Sequence, residues 1–251
     1  MSSPAARGPW PSRRVSYREA DLAKKVTGGI FVTGTDTGVG KTFVAAALAR
    51  AMCGLGIDVG VMKPVASGCV SRRGAMVSDD AEILTGAACV DDPDEDVCPL
   101  RFALPLGPSV AARREGRRLD LRKVHAALGR LRRRHEFLIV EGVGGLAVPL
   151  NGRKDVADLA RETKLPLLVV AADRLGVLNH TALTLEYART KRTEVAGVVL
   201  TTVDPSRDVS RTDNPAELRR MGVPLLAKLG FCRSIEGAAR QLKPLARRLV
   251  P

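Results

Sequence analysis

The sequence predicts an α/β fold, a mostly parallel sheet with helices on both faces. Three observations carry that prediction. Short apolar runs alternate with helical patterns over most of the 251 residues. Apolar residues make up 45% of the chain but aromatics only 3%, so Val, Leu and Ala must fill the core, as they do between a sheet and its helices. The first apolar run passes directly into a glycine- and threonine-rich turn that opens a helix. At this length one large domain is expected rather than two. Residues 29–251 are assigned to it, and residues 1–28 to a flexible basic extension.

The elements follow in order. "IFVT" (Ile30–Thr33) reads as the first strand and 41–53 as the helix after it. "DVGVM" (58–62) is the second strand, followed by a helix over 80–88 and an acidic loop, "DDPDED" (91–96), expected to be exposed. A helix over 120–134 leads to "FLIV" (137–140), and a helix over 155–163 to "LPLLVVAA" (165–172). The last helix, 179–190, precedes "VAGVVL" (195–200). Ligands of such sheets bind beyond the carboxyl ends of the strands, so the polar residues there are the informative ones.

Charge and cysteines narrow the classes. The net charge is +13, and ten Lys/Arg lie within 113–134 against Glu115 and Asp120. Neither that block nor the extension carries interleaved aromatics that could stack on bases, so no nucleic-acid partner is expected. No apolar run is long enough to cross a bilayer, so no membrane partner is expected either. The five cysteines are odd in number and have no C-x-x-C pair, which points to a reducing, cytoplasmic location rather than to disulfides or zinc.

The turn after the first strand reads "GTDTGVGKT" (34–42). A standard nucleotide loop has four residues between its first glycine and Gly-Lys-Thr. Here Thr35, Asp36, Thr37, Gly38 and Val39 make five. Strand, loop and helix still give what a phosphate loop needs: successive N–H groups as an anion nest and the positive end of a helix dipole. Gly34, Gly38 and Gly40 leave the backbone free to accept the extra residue. The domain is therefore expected to be phosphate-loop NTPase-like, with Lys41 reaching the outer phosphates and the Thr42 hydroxyl ligating magnesium. Lys63 opens "KPVASG" (63–68) at the end of the second strand, beside the loop, with Ser67 and Gly68 extending the donor set. Glu141 ends the third strand in "EGVGG" (141–145) and can hold magnesium directly or through water. "SDDAEIL" (78–84) offers Asp79 as a helix cap and Asp80 as the freer ligand.

"GTDTGVGKT", "KPVASG", "VEGVGG" and "LGVLNHT" (175–181), in this order and spacing, resemble the dethiobiotin synthetase family, over about residues 29–203. That family's phosphate loop carries the same extra residue. The resemblance implies ATP-dependent, magnesium-dependent closure of a ureido ring on 7,8-diaminopelargonic acid with carbon dioxide. By resemblance, the nucleotide set is Gly34, Thr35, Asp36, Thr37, Gly38, Val39, Gly40, Lys41, Thr42, Glu141, Gly142 and Thr201. Lys63, Lys41 and Thr37 become catalytic, and Thr42, Asp80 and Glu141 ligate magnesium. Lys63, Ser67 and Gly144 lie on the substrate. The family is a homodimer with a shared site, so Leu175, Gly176 and Asn179 belong to the neighbour's substrate.

The chain departs from the family pattern at several places. A frequent loop glutamate is Gly38 here, and "GPSVAARREGR" (107–117) has Ser109 where histidine is common. The asparagine that often reads adenine is replaced by Thr201, and a later segment, often with a proline near the base, reads "KLGFC" (228–232). Two alternatives stand beside this reading: another phosphate-loop amidating ligase, and a partitioning or switch ATPase. The first usually adds a glutaminase domain, for which no length remains. The second usually has an extra lysine where this chain has Thr35 and Asp36.

Overall fold

The computed structural model describes residues 28–152 and 154–250. The predicted basic extension therefore lies outside the described residues, apart from Gly28. Six strands form the central sheet: β1 (Gly29–Gly34), β2 (Val59–Met62), β3 (Phe137–Gly145), β4 (Leu167–Ala172), β5 (Val195–Thr201) and β6 (Leu225–Leu229). Their order is β6-β5-β4-β1-β3-β2, and every neighbouring pair is parallel. The principal helices are α1 (Lys41–Cys53), α2 (Asp79–Ala88), α3 (Leu121–Arg134), α4 (Val156–Thr163), α5 (Val177–Thr190), α6 (Asn214–Arg220) and α7 (Ile235–Leu249).

Strand β1 is buried throughout, and successive side chains leave opposite faces of the sheet. Phe31 enters one core with Val140, Val169 and Val198, closed by α3, α4, α5 and α6. Ile30 and Val32 enter the other with Ile139, Val170 and Val199, closed by α1, α2 and α7. Helix α1 presents Ala45, Ala46, Ala47 and Ala49, and α7 meets it with Ala238, Ala239 and Ala246. Small side chains on both let the helices approach closely. Leu242 and Leu245 complete that layer, each contributing roughly 1.5–3 kcal/mol by burial.

Several expectations are corrected. Strand β3 runs on through Gly145, five residues past the expected end. Strand β6 and α7 went unforeseen. The Leu225–Leu229 strand is only partly buried and carries exposed Lys228, and Pro244 interrupts the helical pattern of α7. "DDPDED" is not simply an exposed loop. Asp96 is buried against Arg130 (2.6 Å) and Arg134 (3.1 Å), and Asp92 meets Arg134 and His135. The basic last turn of α3 folds onto it, which also pairs part of the 113–134 charge excess. Asp79 is not the cap of α2: Ser78 is, accepting from Ala81 N, while Asp79 pairs with Arg72 at 2.8 Å.

Candidate functional site

The loop leaving β1 returns as α1. Gly38 (φ 73°) and Gly40 (φ 89°) occupy the left-handed region that glycine enters freely. Gly40 precedes α1 without a side-chain cap, and the first turn has no acid. The opening N–H groups of the helix are thus left for an anion. Lys41, 8% exposed, reaches back to donate to Asp36 O at 3.0 Å.

Lys41, Thr42, Lys63, Asp80 and Glu141 meet beside this loop. Thr42 Oγ1 lies 2.8 Å from Glu141 Oε1 and 3.1 Å from Asp80 Oδ1. Lys63 Nζ lies 2.6 Å from the same Glu141 Oε1 and 2.6 Å from Asp80 Oδ2. Lys63 is 4% exposed and Glu141 0%, so this pairing is out of water. Burial alone would lower the pKa of Lys63, but Glu141 and Asp80 outweigh it and hold the ammonium above its ordinary value. Burial pushes the Glu141 carboxyl up, with Lys63 pulling against it. For Asp80 the balance reverses: burial would raise it, yet Lys63, Thr42 and Lys41 keep it below the usual carboxylate range. Burial, then the neighbouring Lys63, lowers Lys41.

Two ammonium groups and two carboxylates cancel, so a polyphosphate entering here brings charge that nothing yet balances. Glu141 Oε2 is buried without a hydrogen-bond partner. Among the described residues no three His, Cys, Asp or Glu side chains converge on a metal position. A cation here would take one hydroxyl and two carboxylates from the protein and fill its shell with water and phosphate oxygens. Magnesium accepts such an environment. The residues fit it.

A cavity of about 920 Å³ runs from this cluster to the edge of the sheet. Of the predicted residues, Thr37, Gly38, Gly40, Lys41, Thr42, Lys63, Ser67, Asp80, Glu141, Gly144 and Thr201 line it. Gly34, Thr35, Asp36 and Val39 belong to the loop but do not line the cavity. Nor does Gly142, where an added Cβ would stand 2.8 Å from the Phe31 ring. The segment around Ser109 forms a short helix, Pro108–Arg114, also away from the cavity. Leu175, Gly176 and Asn179 open α5 outside the cavity. The far end is lined by Thr202, Val203, Leu229, Phe231, Arg233 and Glu236. Only Phe231 had a signal, as an aromatic in "KLGFC". Thr202 and Val203 follow β5 beyond its expected end, and Leu229, Arg233 and Glu236 lie on or after the strand that the sequence hid.

Thr201 lines the cavity differently from its expected part at the base. Its hydroxyl lies 2.7 Å from Val39 O and 3.3 Å from Ala171 O, tying β5 to the phosphate loop.

Comparison with known proteins places the chain in a family. A family model described as "AAA domain" matches residues 28–239. An ATP-dependent dethiobiotin synthetase of Anaeromyxobacter sp. (strain K) is 48% identical over 193 residues, covering 77% of this chain and 85% of that protein. Those of Bacillus subtilis (strain 168) and Thermodesulfovibrio yellowstonii are 39% and 36% identical, covering 79% and 81% of this chain and 85% and 88% of theirs. Among solved structures, a ParA family ATPase from Chlorobium tepidum has a TM-score of 0.51 at 16% identity, covering 88% of this chain and 94% of its own. The MinC:MinD complex of Aquifex aeolicus gives 0.53 at 14%, covering 88% and 95%. These two likenesses establish the fold alone. The relatives in sequence go further: the chain belongs to the family of ATP-dependent dethiobiotin synthetases.

Proposed function

We propose that the chain closes a ureido ring on 7,8-diaminopelargonic acid, using ATP and carbon dioxide and releasing dethiobiotin, ADP and phosphate. The observation that carries this reading is the buried Lys63 ammonium beside the phosphate loop, 2.6 Å from Asp80 and 2.6 Å from Glu141. One substrate amine takes up carbon dioxide as a carbamate. A carbamate oxygen attacks the γ-phosphorus, the bond to ADP breaks, and a carbamic–phosphoric anhydride forms. The second amine then attacks the carbonyl carbon, and phosphate leaves with the carbamate oxygen.

The protein's work is positioning and charge compensation, as in other phosphoryl transfers. Lys41 and the N–H groups of the loop hold the triphosphate. Lys63 and Ser67 hold the carbamate, with Thr37 at the junction and Gly144 along the substrate chain. Gly144 suits that place because it has φ 61° and presents no side chain to the cavity. Thr42, Asp80 and Glu141 would hold magnesium, which supplies screening of the phosphate and carbamate charges. Ring closure is intramolecular, so holding both amines gives effective molarities of ~10⁵ M or more.

The enzyme is read as a homodimer with a shared substrate site. Leu175 is 82% exposed, and Leu183 (62%) on α5 and Val209 (75%) are apolar and exposed as well. Asn179 and the uncapped N-terminus of α5 are free to receive a substrate carboxylate from the neighbouring subunit. The cytoplasm is the proposed location, supported by five cysteines that are all free. Among the described residues no helix is long and apolar enough to cross a membrane.

The test is ADP and phosphate release with diaminopelargonic acid, bicarbonate, ATP and magnesium, each omitted in turn. The reading requires that release fall to background with every omission. Undiminished release without the diamine would reject it.

A further inference from the structure

At the end of the cavity away from the phosphate loop, one side chain holds the lining loop from behind. Strand β6 passes into residues 230–233, and α7 begins after Ser234, whose hydroxyl accepts from Gly237 N at 3.2 Å. Gln241 stands on the second turn of α7, and its side chain runs back toward the helix start. Its Oε1 accepts from Gly230 N at 3.1 Å, and its Nε2 donates to Cys232 Sγ at 3.0 Å. The residue between those two is Phe231, which lines the cavity and is 40% exposed. Gln241 itself is exposed and does not line the cavity.

We propose that Gln241 is a positioning residue for nucleotide binding: it fixes the loop so that Phe231 stands ready to stack on the base. This rests on the reading of the cavity as the ATP site. The triphosphate occupies the phosphate loop, so the base lies at the far end, against Val203, Leu229, Phe231 and Ile235. Stacking on an aromatic ring adds affinity whichever base is presented. A ring on a solvent-exposed loop loses freedom when it stacks, and that loss weakens binding. A planar amide offers one acceptor and one donor group in fixed geometry, so a single side chain settles both neighbours of the ring. The loop is then ordered before the nucleotide arrives. Gln241 makes its two bonds at the base end, so its effect should be confined there.

The experiment measures by calorimetry, with magnesium present, the Kd of a non-hydrolysable ATP analogue and that of tripolyphosphate for the full chain. Wild type should bind the analogue more tightly than tripolyphosphate. Gln241→Leu should weaken the analogue about fivefold and leave tripolyphosphate unchanged. Gln241→Glu keeps the acceptor for Gly230 N and should stay within about twofold of wild type. In a Phe231→Ala background, Gln241→Leu should have no further effect, because the two residues act as one. In turnover, Gln241→Leu should raise the KM for ATP and spare kcat. Circular dichroism establishes that each variant is folded. The two Kd values are read without turnover, so a failure of the ring-closing reaction is a separate result. Three results would overturn the proposal: equal losses for both ligands in Gln241→Leu, an unchanged Kd for the analogue, or losses that add to those of Phe231→Ala.

Discussion

Lys63 and Glu141 form an ion pair of 2.6 Å in which the carboxylate is wholly shielded from solvent. Breaking such a pair by removing one member leaves a buried charge uncompensated, at roughly 3–5 kcal/mol. Lys63→Met should therefore lose stability of that order as well as turnover. Adding Glu141→Gln should restore most of the stability and none of the activity, because the two losses are not additive. Urea unfolding of the two single variants and the double variant measures this. Additive losses would show that the pair is not the source of the effect.

Lys41 and Lys63 should separate in binding. Lys41 faces the loop and donates to Asp36 O, whereas Lys63 faces the carboxylates. Calorimetry with a non-hydrolysable ATP analogue should give a larger rise in Kd for Lys41→Ala than for Lys63→Met, by about tenfold or 1.4 kcal/mol. Equal losses would contradict separate roles.

The loop and the paired ends of the strands were legible in the sequence because their chemistry is local. Gly-Lys-Thr opens a helix, and Lys63 and Glu141 each follow an apolar run. Between Asp79 and Asp80 the sequence left the choice open: Asp80 meets Thr42 and Lys63, Asp79 meets Arg72, and the cap is Ser78. What stayed hidden depends on tertiary neighbours. Nothing near Thr201 says that its hydroxyl turns toward Val39, 162 positions away. Asp96 looked exposed because the Arg130 and Arg134 that cover it belong to a later helix. The half-buried edge strand β6 lacks the continuous apolar run that announced the inner strands.

Thr201 leads to a prediction about the base. A hydroxyl already bonded to Val39 O reads little of a nucleobase edge, and Val203, Leu229 and Phe231 offer an apolar slot that discriminates weakly. GTP and CTP should support turnover within roughly tenfold of ATP in kcat/KM, about 1.4 kcal/mol. Thr201→Val should weaken all nucleotides alike, since it loosens the loop and not the base contact. A preference for ATP above a hundredfold, or one created by the substitution, would count against this.

His135 gives the fold a pH dependence. It lies 2.6 Å from Asp58 and 2.7 Å from Asp92, and these bonds outweigh burial to raise its pKa. A raised folded-state pKa contributes stability that is complete below about 6.5, the ordinary value, and is lost as pH rises through the folded value. His135→Gln should therefore destabilise more at pH 6 than at pH 9, by urea unfolding. The opposite order would mean that the imidazole is neutral in the native protein.

The proposed sharing of the site between subunits predicts complementation. Lys41→Ala and Asn179→Ala subunits, each inactive alone, should regain about a quarter of wild-type activity when exchanged in equal amounts, since half the dimers then carry one complete site. No recovery between subunits that demonstrably exchange would place Asn179 in its own chain's site or in none.

Oxygen-18 traces whether a carbamate is phosphorylated beside Lys63. Carbon dioxide labelled with oxygen-18, freshly supplied with diaminopelargonic acid, ATP and magnesium, enters as the carbamate. The carbamate oxygen that attacks the γ-phosphorus departs with phosphate when the ring closes. Mass analysis of the released phosphate should find one labelled oxygen for each dethiobiotin formed. ADP and dethiobiotin formed with unlabelled phosphate would mean that no carbamate oxygen reaches the γ-phosphorus.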